Sequence, residues 1–574
     1  MMTHAMSMRA SPDVDARFLL HAAALADTSA GLTAPHPNSA CLIARGTTVV
    51  GDGFLAGQGT TAAEVQACLK AGDLAQGATA YLNLEPGDCH GDDSAVSALI
   101  QAGISRAVIG LRHPLQHFRN KAIKDLTNAN IEVDILGENL TQGTSIKEAC
   151  KACQTVNAPL LYRAAFKAPF STLKYAMTLD GKIATSSGHA AWISSSLSRQ
   201  QVFSTRARSD AVIVGGNTVR RDNPRLTTRK DGGHLPVRIV MSCGLNLPDE
   251  ANLWDVSDTP TILMTQKGAR EDFQERLQRK GVEIVEFDFL SPKTVADYCY
   301  KRGFLSILWE CGGTLAAPAI SSGVIHKVMA FVAPKIIGGA RAPSPVGDMG
   351  MIEMTQALNL EDILFEQVGP DMLISGYLQP IPDLSYRSSE WIETVNIISE
   401  KSSSDLRSVL SFNQAWDAYG AFSNFSPHSI NVASSNGKLV RWKTVEHYYQ
   451  AQKFEGVQHT LAVELVEKIQ ASECPEEAER LGRSLQRKRP DLVRPDWDMA
   501  KMEVIYRALY SKFTGHPHLK SLLLSTAGSV LVDDSSRESR GFLGDLLMKL
   551  RTQLLLQESA GNANEFSLGD TCVL

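Results

Sequence analysis

Chemistry-bearing residues crowd into the stretch from Pro169 to Arg229. It reads F-S-T-L-K-Y-A-M-T-L-D-G-K-I-A-T, then A-W-I-S, then S-D-A-V-I-V-G-G-N-T-V-R-R-D-N-P-R-L-T-T-R. The apolar run Ala211 to Gly215 predicts a buried strand. The Gly215-Gly216-Asn217-Thr218 at its end predicts a turn where backbone approaches a ligand closely. Asp222, in Asp-Asn-Pro, sets a carboxylate on a stiff turn among the cations Arg220, Arg221, Arg225 and Arg229. Guanidinium forks suit phosphate better than ammonium groups do. A second pair, Gly312-Gly313 before Thr314, follows the apolar run Leu305 to Trp309 and the carboxylate Glu310. Each pair joins a predicted strand to a predicted helix, whose first amides can cradle a pyrophosphate. Neither is the G-x-G-x-x-G fingerprint. No acidic residue directly follows the strand Val237 to Ser242; an acid there takes the ribose 2′-hydroxyl of NAD, so its absence leans toward NADPH. These residues predict the catalytic half of a nucleotide-dependent reductase.

The whole chain must position that stretch. Its 574 residues predict three to four domains. Composition is that of a globular protein, 44% hydrophobic and 21% charged. A net charge of −5 gives no reason to expect nucleic acid as a partner. No apolar run approaches the ~20 residues that span a bilayer, and the first twenty residues lack a secretory apolar core. Ten cysteines are scattered, and only Cys150 and Cys153 have ligand-like spacing, without a second pair. That usage fits a reduced intracellular compartment.

Residues 17–165, after a leader at 1–16, alternate helical and strand patterns and predict an α/β sandwich. P-N-S-A-C-L-I-A at 37–44, A-E-V-Q-A at 63–67 and Y-L-N-L-E-P at 81–86 resemble the zinc-dependent deaminase domain of riboflavin biosynthesis, with its cytidine deaminase-like fold. Such sites need a His/Cys/Cys set and a proton-shuttling Glu. Here Ala63 stands where the family has His and Gly87 where it has Cys; Glu64 remains, and Cys89 and His90 match no tetrahedral spacing. The expectation is a deaminase fold with no zinc and no deaminase chemistry, kept for a structural role.

Val156 to Ala164, punctuated by Pro159 and Pro169, predicts a domain junction. Residues 166–382 resemble the reductase half of the bifunctional riboflavin protein, within the dihydrofolate reductase-like architecture. The motifs are L-K-Y-A-M-T-L-D-G-K-I-A, G-H-A-A-W-I-S, the Thr205–Arg229 segment, L-W-E-C-G-G-T-L-A and V-A-P-K-I-I-G-G. The resemblance implies hydride transfer from NADPH to a phosphorylated ribosylaminopyrimidine. It implies catalytic roles for Lys174, Asp222 and Glu310, and substrate contacts for Arg206, Arg225 and Arg229. Cofactor contacts are implied for Ala176, Trp192, Ser194, Gly215, Gly216, Thr218, Ser242, Gly312, Gly313 and Thr314. Asp180, before Gly181, reads as a turn residue.

A Ser-rich linker at 383–406 precedes a mainly helical domain at 407–555 and a tail at 556–574 expected to be disordered. A-Y-G-A-F-S-N-F-S-P-H, R-W-K-T-V-E-H-Y-Y-Q-A-Q-K-F, L-G-R-S-L, R-P-D-W-D and L-Y-S-K-F resemble the small N-glycosidase family acting on riboflavin precursors. That implies Glu446 as the catalytic carboxylate, with Asn424 and Trp497 as sugar and ring contacts. Trp442, Tyr448, Tyr449 and Phe454 fall at helical spacing and read as core. The family's Trp-Gly-x-Gly segment is absent: D-D-S-S-R-E-S-R runs directly into G-F-L-G. The three-part order resembles the plant-type pyrimidine reductases of riboflavin biosynthesis, which implies a plastid enzyme and is compatible with a homodimer. Two alternatives stay open: an N-glycosidase with a vestigial reductase, or a nucleotide-binding scaffold without catalysis.

Overall fold

A computed structural model describes the chain apart from residues 1–10, 58–59, 88–94, 142, 229–233, 385–408, 414–416, 418, 434–436, 473, 535–541 and 567–574, and the side chains of 558–566. The chain forms two compact units, one of Met1–Gly57, Gln66–Pro86 and Leu99–Tyr386, the other of Gln58–Val65, Gly87–Ala98 and Arg387–Leu574.

The first unit opens with helix α1 (Pro12–Asp27), which starts on a proline suited to a first turn. A five-stranded sheet follows, of β1 (Ala40–Arg45), β2 (Thr48–Phe54), β3 (Thr79–Leu82), β4 (Arg106–Ile109) and β5 (Glu132–Ile135), in the order β2-β1-β3-β4-β5. Helices α2 (Ala63–Ala71), α3 (Ala95–Gln101), α4 (Lys121–Asn128) and α5 (Thr144–Val156) alternate with it. Phe18 and Leu19 of α1, Tyr81 and Val108 of the sheet, and Ile146 and Cys153 of α5 share one core.

Through that core runs a buried ion network. Arg106 donates to Asp134 at 2.8 Å and, through both terminal nitrogens, to Asp15 at 3.0 and 2.8 Å. The Tyr81 hydroxyl donates to Asp15 at 2.8 Å. Asp15 is therefore a fold residue, which corrects the leader expected over 1–16: the first helix already begins at Pro12. The junction expected around Pro159 is likewise a helix, α6 (Ala158–Phe166), with that proline in its first turn. It buries Leu160, Leu161 and Tyr162, and the Tyr162 ring stacks on Phe170 at 4.9 Å.

The same unit holds a nine-stranded sheet. In chain order its elements are β6 (Phe170–Thr178), α7 (Ser196–Ala207), β7 (Ala211–Gly215), α8 (Gly216–Asp222), β8 (Val237–Met241), β9 (Thr261–Gln266), α9 (Glu271–Arg279), β10 (Glu283–Phe287), α10 (Pro292–Lys301), β11 (Ser306–Trp309), α11 (Gly313–Ser321), β12 (Lys327–Ala333), β13 (Glu361–Val368) and β14 (Asp371–Tyr377). The order is β10-β9-β8-β7-β11-β6-β12-β14-β13, parallel from β10 to β12 and antiparallel at β14 and β13. β11 lies between β6 and β7, so the winding reverses there. Ligand crevices of open α/β sheets form at the carboxyl ends of strands at such a point.

In the second unit, two short sheets (Val409–Phe412 with Val530–Asp533, and Ile430–Ala433 with Leu439–Trp442) accompany long helices. Trp442, Tyr448, Tyr449 and Phe454 are buried in its core, as their spacing predicts. The last helix runs from Leu543 to Phe566, so residues 556–566 are helical, a correction to the expected tail. The linker positions 385–406 lie outside the described residues. Among the described residues no helix is long and apolar enough to cross a membrane.

Candidate functional site

The carboxyl ends of β6, β7 and β11 bring together Lys174, Glu310 and the two glycine pairs, with Arg206 reaching in from α7. Trp309 of β11 pairs in register with Leu173 of β6 and with Ile213 of β7. Glu310, one residue further, therefore sits beside Lys174, and its amide donates to the Ile213 carbonyl at 2.9 Å. Arg206, in the last turn of α7, reaches across to Glu310 with Nε–Oε1 2.5 Å and Nη2–Oε2 2.9 Å. Its third nitrogen donates to the Thr227 carbonyl at 3.1 Å. Lys174 Nζ is 3.9 Å from Glu310 Oε2 and 5.9 Å from the centre of the Phe331 ring.

The three side chains are only 16%, 11% and 14% exposed (Lys174, Glu310, Arg206), so their charges feel one another with little screening. Burial pushes the Lys174 ammonium below its ordinary value; Glu310 pulls it back and Arg206 adds to the depression. Burial alone would raise Glu310, but Arg206 and Lys174 outweigh it and hold the carboxyl below the usual range. The result is a carboxylate fixed between two cations, one of which releases its proton more readily than a surface lysine. In this arrangement the Arg206 fork, expected on substrate, is engaged by Glu310.

Around this triad the remaining positions fall into two groups. Ala176 continues β6, half-buried and in register with Phe331. Trp192 adopts a left-handed φ of 63° and is 71% exposed, with the Arg199 guanidinium 4.4 Å over its ring. Arg199 also donates to the Ser194 carbonyl at 2.7 Å, and Lys335 to that of Trp192 at 2.5 Å. The exposed indole is thus braced by the Arg199 guanidinium and its backbone by Lys335. Asp180 accepts from the amides of Ile337 and Gly338 at 3.3 and 2.7 Å, a loop-fixing role in keeping with its reading as a turn residue.

Gly215 is the cap of α8, so this pair joins strand to helix as expected, with no loop between them. Extended backbone at Gly215 suffices for an N-cap, and the chain needs no loop. A Cβ on Gly216 would stand 3.2 Å from Ser242 Oγ, which brings Ser242 against this junction, and Thr218 follows half-buried in α8. Asp222 ends α8 at the surface rather than on a separate turn, before Asn223 at φ 41°. Partial desolvation raises its carboxyl and Arg221 opposes that. Arg225 is exposed, and Arg229 lies outside the described residues.

At the other junction, a Cβ on Gly312 would meet only Ile183 at 3.7 Å, leaving that face open. Gly313 differs: a Cβ there would lie 2.8 Å from the Ser344 carbonyl and 2.9 Å from the Gly347 amide, so loop packing already demands glycine. Thr314 is exposed. Neither α8 nor α11 has a side-chain N-cap bond, which leaves first-turn amides for an anion. The sequence reading missed the Thr227 carbonyl, Arg199 and Asp371, whose carboxylate takes the Ser195 amide at 2.7 Å and the Ser198 hydroxyl at 2.5 Å to fix the start of α7. Nothing in local spacing signals contacts that span 176 and 173 residues.

In the second unit Glu446 is buried in the first turn of the helix Val445–Gln452 and accepts from Gln450 at 2.7 Å. Its amide donates to the Asn424 carbonyl at 3.1 Å. Asn424 is 2% exposed, and neither polar atom of its side chain has a hydrogen-bond partner among the described residues; the same holds for Trp497 Nε1. Trp497 packs on Tyr449 at 5.0 Å. The structure thus links Asn424 directly to Glu446 and sets Trp497 against the same helix. The missing Trp-Gly-x-Gly segment concerns positions 535–541, outside the described residues. So are Cys89 and His90, while Glu64 is buried in the first turn of α2. Among the described residues no group of three His, Cys, Asp or Glu is arranged to hold a metal.

A model of the RibD C-terminal domain matches residues 169–374, and one of the NADAR domain matches residues 411–555. The chain is 58% identical to the riboflavin biosynthesis protein PYRR, chloroplastic, of Zea mays, over 94% of its length and 89% of that protein's. It is 55% identical to the Arabidopsis thaliana protein of that name, over 95% and 93%. Among solved structures, a diaminohydroxyphosphoribosylaminopyrimidine deaminase/5-amino-6-(5-phosphoribosylamino)uracil reductase of Thermotoga maritima is 26% identical, with a TM-score of 0.55 over 64% of this chain and 99% of that one. With both sheets and the crevice accounted for, the chain belongs to the family of the riboflavin biosynthesis protein PYRR.

Proposed function

We propose that this chain is the NADPH-dependent pyrimidine reductase of plastid riboflavin biosynthesis. In this reading it converts 5-amino-6-(5-phosphoribosylamino)uracil to its ribityl counterpart. The observation that carries it is the buried Lys174–Glu310–Arg206 triad at the carboxyl ends of β6 and β11. The cofactor fits the chain on two counts: the uncapped first turns of α8 and α11, and the open face at Gly312. Gly215, Gly216, Thr218, Gly312, Gly313 and Thr314 would hold it, with Ser242 and Trp192 at its flanks. NADPH, when bound, supplies the hydride.

The chain's own residues do the rest. Opening the ribose ring requires one proton at the ring oxygen, and in this reading Lys174, its ammonium weakened by burial, gives it. Glu310 holds Lys174 in place and can accept from the substrate's hydroxyls. The arginines at 225 and 229 supply phosphate-binding charge, while Arg206, its fork engaged by Glu310, holds that carboxylate in place. Asp222 serves the sugar or the nicotinamide amide. We further propose that residues 17–165 lack deaminase activity and bind no zinc, because Ala63 and Gly87 stand at ligand positions. One equivalent of tightly bound zinc in the purified protein overturns that part.

The test is turnover: purified full-length protein is expected to oxidise NADPH with the deaminated ribosylaminopyrimidine phosphate, with ribityl product by mass spectrometry. No product from either the deaminated or the aminated substrate rejects the reading. A second reading, hydrolysis of a pathway intermediate in the NADAR domain, is favoured by the side-chain amide of Asn424, a residue bonded through its backbone to Glu446, and by Trp497 Nε1 against Tyr449 of the same helix, both without a partner among the described residues. Release of ribose 5-phosphate, abolished by Glu446→Gln, would establish it. We also propose a homodimer, formed on the exposed edge strand β13.

A further inference from the structure

We infer that the deaminase-like region is a clamp on the reductase site, acting through the C-terminus of α7. The inference rests on the reductase reading for its kinetic arm only. Arg206 owes its place on Glu310 to the last turn of α7, and that turn is gripped from the first domain. Gly31, at φ +85°, approaches so closely that a Cβ on it would stand 2.7 Å from the Ala207 carbonyl oxygen and 2.8 Å from Arg208 Cα. Backbone lies on backbone there, and no side chain can yield to admit a larger residue. Beside it, Arg208 pairs with the Asp27 carboxylate and donates to the Asp27 carbonyl at 3.3 Å. That ion pair is about half exposed on each side (47% and 46%), so it orients more than it stabilises.

The grip is anchored at both ends. Asp27 is the last residue of α1, whose other end is fixed by the buried Asp15–Arg106–Asp134 network. Beyond α7, the buried Asp210 carboxylate accepts from the amides of Leu305 and Ser306, both at 2.7 Å, at the start of the strand that leads into Glu310. Ser306 also donates to the Arg208 carbonyl at 3.5 Å. The segment Ala207–Asp210 is therefore the node between α1, Arg206 and Glu310. A region without the deaminase zinc ligands thus still serves the reductase, by positioning the arginine–carboxylate pair. Gly31, Asp27 and Arg208 are its positioning residues.

The experiment uses the full-length protein and the variant Gly31→Ala. Amide hydrogen exchange is expected to quicken at least about tenfold in Thr205–Ser209 while the amides of β4 stay protected. The KM for the ribosylaminopyrimidine phosphate is expected to rise about tenfold, with the KM for NADPH within twofold of the parent, since small misplacements near a reacting pair can cost up to ~100-fold. Unchanged exchange in Thr205–Ser209 together with an unchanged substrate KM overturns the inference. If Gly31→Ala is insoluble, charge reversal decides: Asp27→Arg and Arg208→Asp should each raise substrate KM and α7 exchange, and the double variant should restore both. Single variants without effect, or a double variant without rescue, overturn it as well. A parent protein with no turnover rejects the reductase reading, while the exchange measurement still decides the clamp.

Discussion

Lys174, Glu310 and Arg206 are worth more as a set than their separate contacts, because each neutralises a charge that would otherwise be stranded. Glu310→Gln leaves two cations facing each other at a site where side chains are 16% exposed or less. A loss of roughly 3 kcal/mol of stability, typical of breaking a buried pair, should accompany a fall in kcat/KM of at least ~100-fold. Thermal unfolding and steady-state kinetics of one preparation check both. The depressed Lys174 has a pH signature too: its proton is lost below the ordinary lysine value of 10.5, so the alkaline limb of kcat/KM is expected below that pH. Lys174→Arg should move the limb upward while lowering the rate; an unmoved limb would assign it to another group. Glu310 was legible in the sequence because it follows an apolar strand run and precedes a glycine pair, whereas Lys174 was singled out only by the resemblance of its L-K-Y-A-M-T-L-D-G segment to the reductase family. The Arg206–Glu310 bond was not legible, since 104 residues separate the partners and only the sheet's reversal joins them.

At the scale of elements, strand and helix periods were readable almost throughout, and the corrections cluster where one residue type serves two purposes. Pro159 reads as a breaker, yet in a first helical turn its missing donor costs nothing. Gly215-Gly216 joins strand to helix as its sequence predicts, only more tightly than a turn. Buried charge is the other blind spot, because a lysine in L-Y-S-K-F gives no sign of its surroundings. Lys512 is fully buried, donates to the Ser423 carbonyl at 2.9 Å and bonds the Ser426 hydroxyl, holding the loop that carries Asn424. Burial pushes its ammonium down to about 7. Because the folded value lies below the unfolded value of 10.5, the unfolded chain holds more protons between those limits. Lys512 therefore makes the second unit gain stability as pH rises from about 7 to 10.5, by a ceiling of about 5 kcal/mol. Calorimetry of the full chain should show that gain in the parent and a flatter dependence in Lys512→Met. Equal slopes in both would show that the amine is solvated in the native state.

The whole molecule ends its large sheet on an edge that solution should not leave bare. β13 is exposed along its length up to Gln367, with Ile363 at 49%, Leu364 at 58% and Phe365 at 64%. Its neighbour in sequence adds Ile352 at 90%, Met354 at 87% and Leu358 at 54%. Successive side chains of a strand point to opposite faces, so Leu364 and Phe365 expose apolar surface on both sides of the edge. Proteins blunt such edges with charge, bulges or a partner. This strand does carry a register shift between Glu361 and Leu364, and Asp362 is tied to Lys151 at 3.1 Å. Both devices sit in its first half, up to Leu364, and leave the remainder available for pairing. In the proposed homodimer a second copy would supply the same strand in antiparallel register about a twofold axis, closing the edge without leaving a new one. Light scattering is accordingly expected to give a dimer mass for the parent. Phe365→Lys together with Leu364→Glu should give a monomer that retains its fold, since neither side chain is part of the buried core. A monomeric parent, or a charged double variant that remains dimeric, would move the interface elsewhere. Because β13 borders β14, whose first residue Asp371 fixes the start of α7, loss of the dimer should also weaken substrate binding more than NADPH binding.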